Sequence, residues 1–156
     1  MKYRMLSDEE LQALEPELKE FLIVNGFDGE AWEQLNREQP EKAVALVGLF
    51  SDIVLEKVYH KVDVVEKRDA ENRTLIKIGA TALEMFHVSV KKNSTLDLAE
   101  VETIPSLLNR HRDALDFYRG LKPLQLTREE EVHRLILQGF AAVPIRLWEE
   151  MQAVIG

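Results

Sequence analysis

A chain of 156 residues that is 46% apolar and holds only 7 Gly and 5 Pro has the size and composition of one folded domain, and argues against a disordered chain and against a repeat fibre. With no Cys it has no disulfide framework, no thiolate metal site and no thiol nucleophile. Its 28 acids against 20 Lys and Arg leave a net charge of -8, and an acidic surface repels phosphate backbones, so generic nucleic-acid binding is disfavoured.

The start carries Lys2 and Arg4 but continues into Ser7, Asp8, Glu9 and Glu10, which is wrong for a signal peptide. No apolar run approaches the ~20 residues of a spanning helix. The expected setting is therefore the cytoplasm, with no membrane association. Ser7 and Glu10 have the spacing of a capping box, so a helix should begin there, with Leu11, Leu14, Leu18, Phe21 and Leu22 on one face and an end near Asn25-Gly26. Pro16 lacks an N–H and crowds the preceding turn, so this helix should kink or restart at Glu15. A short helix from Asp28 or Gly29 to Asn36 is anchored by Trp32 and Leu35. Pro40 then opens a longer one to about Tyr59, with Ala43, Leu46, Val47, Phe50, Val54 and Val58 at helical spacing.

After His60 the period changes. Val62 to Arg68, Thr74 to Ile78 and Leu83 to Val90 read as strands, the first two joined by a turn at Asp69 to Asn72. A three-stranded antiparallel meander fits best; its rival is a two-stranded ribbon in which Thr74 to Val90 is continuous and Gly79 only a bulge. Helical spacing returns from Ile104 to Arg119, with Leu107, Leu108, His111, Leu115 and Tyr118 on one side and Gly120 placed to end the helix. Thr127 and Glu130 repeat the capping-box spacing ahead of a helix to about Gln138, and a last helix from about Pro144 carries Leu147, Trp148, Met151 and Ile155. The expected fold is α+β: a single domain over 1–156, helical over 7–59, a small antiparallel three-stranded meander over 61–90, and helical over 104–155, the N-terminal and C-terminal helices packing against the sheet.

Four stretches carry a family resemblance: Met1-Lys2-Tyr3-Arg4; Leu6-Ser7 with Glu9-Glu10-Leu11; Phe21-Leu22-Ile23-Val24-Asn25-Gly26; and Leu49-Phe50-Ser51-Asp52-Ile53-Val54, followed by Val58 and Lys61-Val62. Across about the first 65 residues the chain resembles a family of short proteins of Bacteroidetes-type bacteria classed as a domain of unknown function. The resemblance implies a bacterial cytosolic origin and a chain complete as written; it supplies no catalytic residue. Asp52, inside the Phe50-Ser51-Asp52 stretch, is expected either to serve function or to fix a loop packed above its helix.

The remaining candidates are polar residues with a specific chemistry. His60, His87, His111 and His133 could bind metal or move protons, yet no pair has the three- or four-residue spacing of two ligands on one helix face, so no metal site and no cofactor is expected. Glu129 and His133, four apart, could share a face. Arg110, His111, Arg112, Arg119 and Lys122, with Phe117 and Tyr118 nearby, form the one basic cluster and the candidate anion site, interrupted by Asp113 and Asp116. Trp148, Met151 and Ile155 are large apolar anchors on the terminal helix and the candidate interface, if they do not simply close the core. The leading functional reading is a non-catalytic protein-binding or adaptor domain with a protein partner or a second copy of itself, through sheet edges among other surfaces. The alternative is a small enzyme or anion-binding domain using Arg110, His111 and Arg112.

Overall fold

The computed structural model describes residues 1–100 and 102–155, and the chain divides into two compact units, residues 1–58 and 59–156. The first holds α1 (Asp8–Ala13), α2 (Glu15–Val24), α3 (Gly29–Glu38) and most of α4 (Pro40–His60). Ser7 caps α1 through the full capping box, its hydroxyl accepting the Glu10 N–H while the Glu10 carboxylate accepts the Ser7 N–H. Pro16 does split the run: α1 stops at Leu14 and α2 restarts with the proline in its first turn, where a missing N–H costs nothing. Asp28 caps α3 by accepting the Ala31 N–H at 2.8 Å. Leu6, Leu22, Leu35, Ala43, Phe50 and Leu55 are buried in this unit, and the Phe21 and Phe50 rings meet at 5.4 Å.

Two side chains of α4 fasten the N-terminal segment. The Asp52 carboxylate accepts the backbone N–H groups of Lys2 at 2.6 Å and Tyr3 at 2.8 Å. Ser51, fully buried, accepts the Leu6 N–H at 3.1 Å and donates to the Val47 carbonyl at 2.7 Å. Lys2 and the Tyr3 hydroxyl both reach Glu56. The Phe50-Ser51-Asp52 stretch thus has a structural reason to stand as it does: Phe50 fills the core while the next two residues satisfy backbone donors of the N-terminal segment.

Glu10 accepts both terminal nitrogens of Arg4, at 2.8 and 3.0 Å. That pairing, together with the Ser7 N–H, holds its carboxyl at about 2, well below the usual 4.5. A depressed carboxylate stabilises the fold above the unfolded value of 4.5, and this contribution is lost as the pH falls through about 2. Followed by carbon NMR of the side-chain carboxyl, Glu10 should stay ionised through the range where ordinary glutamates titrate. Arg4→Ala should move its midpoint up toward 4.5, and an unmoved midpoint would contradict the pairing.

The second unit is built on an antiparallel sheet with strands β1 (Val64–Arg68), β2 (Asn72–Ile78), β3 (Ala82–Val90), β4 (Leu115–Pro123) and β5 (Ala141–Val143), in the order β4-β3-β2-β1-β5. Helices α5 (Ile104–His111), α6 (Arg128–Leu137) and α7 (Ile145–Ile155) complete it. Alternation sends Val64, Leu75, Phe86, Val88 and Leu115 to one face, where they form a single core with Leu98, Ile104, Leu107 and Leu108 and with Trp148 and Met151 of α7. Val65, Ile76, Ile78 and Leu83 point to the other face, beside Val132 and Leu135 of α6. Gly139 closes α6 at φ +99°, a left-handed conformation that an L side chain resists; its N–H reaches the Ile136 carbonyl at 3.0 Å and that of Phe140 reaches Leu135 at 3.1 Å.

Among the described residues, five strands and seven α-helices replace the expected three-stranded meander packed only by terminal helices. The meander itself is present as β1, β2 and β3, and Gly79 sits in a true turn, donating its N–H to the Ala82 carbonyl at 2.9 Å, so the continuous ribbon is excluded. The error lies in the segment 104–155, read as helical throughout. The helix from Ile104 ends at His111, a single 3-10 turn covers Arg112–Ala114, and the chain then extends along β3 as β4. Leu107, Leu108 and Leu115 do share one core, but Leu115 reaches it from a strand. Gly120, read as a helix stop, lies within β4 opposite Met85, and β5 pairs with β1 from Val64↔Val143 to Glu66↔Ala141.

Candidate functional site

β4 is an exposed part of the second unit. β4 is the outermost strand on its side, and of its nine residues only Leu115 is buried and Gly120 half-buried. Its ladder with β3 pairs Leu83 with Lys122, Met85 with Gly120 and His87 with Tyr118. The flanking bonds, Lys91 N–H to the Ala114 carbonyl at 2.9 Å and Leu124 N–H to the Thr81 carbonyl at 3.0 Å, fix which residues bond inward. An antiparallel ladder alternates, so Asp116, Tyr118, Gly120 and Lys122 direct their backbone groups to β3. Leu115, Phe117, Arg119, Leu121 and Pro123 direct theirs outward. Pro123, which has no N–H, sits at an outward position, where proline leaves the ladder intact.

Beside that edge, the face bearing Met85 and Gly120 forms a cleft of about 390 Å³ under α6, with Ile76, Leu83 and Met85 as floor and Lys122, Arg134 and Gln138 at the rim. Further along the same face, His87 stands on a polar row. Its Nε2–H donates to Asn72 Oδ1 at 3.2 Å, since an amide oxygen only accepts, and its Nδ1 is hydrogen-bonded to the Thr74 hydroxyl at 2.8 Å. The Tyr118 ring lies 5.1 Å away. Both imidazole nitrogens are thus occupied by neighbours that fix the ring.

A second polar cluster joins the N-terminus of α6 to the segment from Tyr59. The Tyr59 hydroxyl bonds His133 Nδ1 at 2.9 Å, His60 Nδ1 bonds Glu129 at 2.9 Å, and the Arg128 guanidinium takes the carbonyls of His60, Val62 and Ile78 and the Asp63 carboxylate. The His60 bond holds the Glu129 carboxyl below its ordinary value, with Arg128 adding to it. In this cluster Glu129 is bonded to His60 and His133 to Tyr59. No group of three or more His, Asp or Glu among the described residues is placed to hold a metal ion.

The basic cluster from α5 to β4 does not converge on one point. Arg110 is paired with Glu102 at 3.0 Å, Arg112 donates to the Val154 carbonyl at the end of α7 at 3.0 Å, and Arg119 lies 2.7 Å from the Gln152 side-chain oxygen when that amide is turned to meet it. Ser106, whose hydroxyl donates to Glu102, and the nearby charges of Arg110 and His111 keep the Glu102 carboxyl below its usual range. His111 is half-buried. Trp148 and Met151 are 3% and 0% exposed and belong to the core, with Ile155 packed against it, so these anchors face inward.

Two buried charges escaped sequence reasoning. Arg73, 2% exposed, donates to the Glu66 carboxylate at 2.9 Å and to the Glu102 carbonyl, and its Nε has no hydrogen-bond partner. Glu131, fully buried in the first turn of α6, accepts the Gln125 N–H at 3.2 Å with one oxygen, while the other makes an ion pair with Arg134 that is not a well-directed hydrogen bond. Alternation along β2 could have flagged Arg73, which shares the parity of Leu75; nothing local marks Glu131 apart from its neighbours.

No helix among the described residues is long and apolar enough to cross a membrane. No curated protein and no solved structure matches the chain. The model of a family of unknown function, DUF6495, matches residues 1–156, and the chain belongs to that family.

Proposed function

We propose that this chain is a non-catalytic protein-binding domain that receives an extended polypeptide segment along the outer edge of β4. The observation that carries the reading is the open edge itself: outward backbone donors and acceptors flanked by Phe117, Tyr118 and Leu121, which are 43%, 56% and 74% exposed. Strand addition draws affinity from main-chain hydrogen bonds and selectivity from alternate side chains, and this edge supplies both. The bacterial, cytoplasmic setting implied by the resemblance of the first 65 residues, and the action of 1–156 as one domain, are parts of the same proposal. Against the anion-binding alternative stands the separate engagement of Arg110, Arg112 and Arg119.

Peptides selected from a random displayed library against the full chain test this. Titrated into isotope-labelled protein, they should shift the amides of Phe117, Arg119 and Leu121 saturably. Leu121→Pro removes an outward N–H without touching the β3 ladder and should abolish the shifts. Peptides that bind equally well to Leu121→Pro, or that leave β4 unmoved, would refute the reading.

A further inference from the structure

We propose that the segment received by β4 is β4 of a second copy of this chain, paired antiparallel about a two-fold axis at Arg119; the inference rests on the edge-binding reading above. Only Leu115, Phe117, Arg119, Leu121 and Pro123 offer outward backbone groups, so a symmetric pairing must set odd residues against odd ones. With the axis at Arg119, Phe117 meets the mate's Leu121 on one face. On the other, Asp116 meets the mate's Lys122 and Tyr118 lies over the mate's Gly120. The axis at Tyr118 would put Asp116 against Gly120, and the axis at Gly120 would put Tyr118 against Lys122, so each leaves the charges unmatched.

Charge complementarity selects this occupant. Asp116 and Lys122 are both exposed, and neither has an ion-pair partner among the described residues. The chain as a whole carries -8, which would set two copies against each other, but β4 has one acid and two bases and does not share that imbalance. The like-charge meeting, Arg119 with its mate, is eased because the guanidinium is turned to the Gln152 side-chain oxygen on α7. Pro123 lies opposite Leu115, where its carbonyl can accept though it cannot donate, and so ends the pairing on each side.

Sedimentation equilibrium on the full chain, over a wide concentration range, reads the association. The wild type should form a dimer, Asp116→Lys and Lys122→Asp should each raise the dissociation constant by about tenfold or more, and the double exchange Asp116→Lys/Lys122→Asp should return it to near the wild-type value. Leu121→Pro should also dissociate the dimer; should that variant fail to fold, the charge exchanges still decide. A wild type that stays monomeric, or a double exchange no better than the single ones, overturns the pairing. If the chain is monomeric while selected peptides still shift β4, this inference falls and the edge-binding reading stands; if they do not, both fall.

Discussion

Arg73→Met should destabilise the second unit by about 3–5 kcal/mol, because it leaves the largely buried Glu66 carboxylate without its partner. Glu66 is only 10% exposed at its side chain and Arg73 2%, and the guanidinium also serves the Glu102 carbonyl. Breaking a buried pair from one side is costly, whereas replacing both members with apolar residues often is not. Glu66→Leu/Arg73→Met should accordingly regain most of the loss, the remainder being the unserved Glu102 carbonyl. Urea unfolding followed by Trp148 fluorescence in a Trp32→Phe background isolates this unit's signal. A single variant as stable as its parent would show that the pair contributes nothing to holding β1 and β2 against the segment before α5.

Trp148→Ala should cost about 3–5 kcal/mol and leave the association constant measured under folding conditions unchanged. The indole is 3% exposed and packs among Phe86, Leu107, Leu108 and Met151 in the core beneath the sheet, so its truncation opens a cavity between α5, α7 and β3. Urea unfolding gives the stability and sedimentation gives the association. A variant of near-parental stability that no longer dimerises would return Trp148 to the surface and would contradict the packing of α7.

Local chemistry was the legible part of this fold. Ser7 with Glu10, Asp28, and Thr127 with Glu130 all cap helices where their spacing places them, since a cap depends on residues within one turn. The strands β1 to β3 were legible because their short apolar, β-branched runs are bounded by turn residues, although the sheet is covered on both faces and burial alternates only in part. β4 was not, for two reasons that reinforce one another. It follows α5 after only three residues, so Leu107, Leu108, His111, Leu115 and Tyr118 happen to keep helical spacing across the break. As an edge strand it is exposed on both faces, so nothing forces alternation beyond Leu115, Phe117 and Leu121. A signal was there in those three residues with Gly120 between them, but Gly120 also suits a helix end. β5, three residues long, is specified by its pairing with β1 and not by its own sequence.

The surface proposed for binding was legible only in composition. Phe117, Tyr118, Arg119 and Lys122 stood out as the basic and aromatic stretch, and they do lie together, though on an open strand instead of a helix. What separates an open edge from a buried anchor is burial, which depends on long-range packing; Trp148 and Met151 have the chemistry of an interface and the position of a core.

Residue-resolved amide exchange across β4, at low and high protein concentration, tests most directly the claim that this strand offers an open edge. Slow exchange is expected at Asp116, Tyr118, Gly120 and Lys122 under both conditions, and exchange at Phe117, Arg119 and Leu121 that is fast when dilute and slow when concentrated. Equal protection of neighbouring residues in the dilute sample would contradict it, because the outward groups would then already have partners within a single chain.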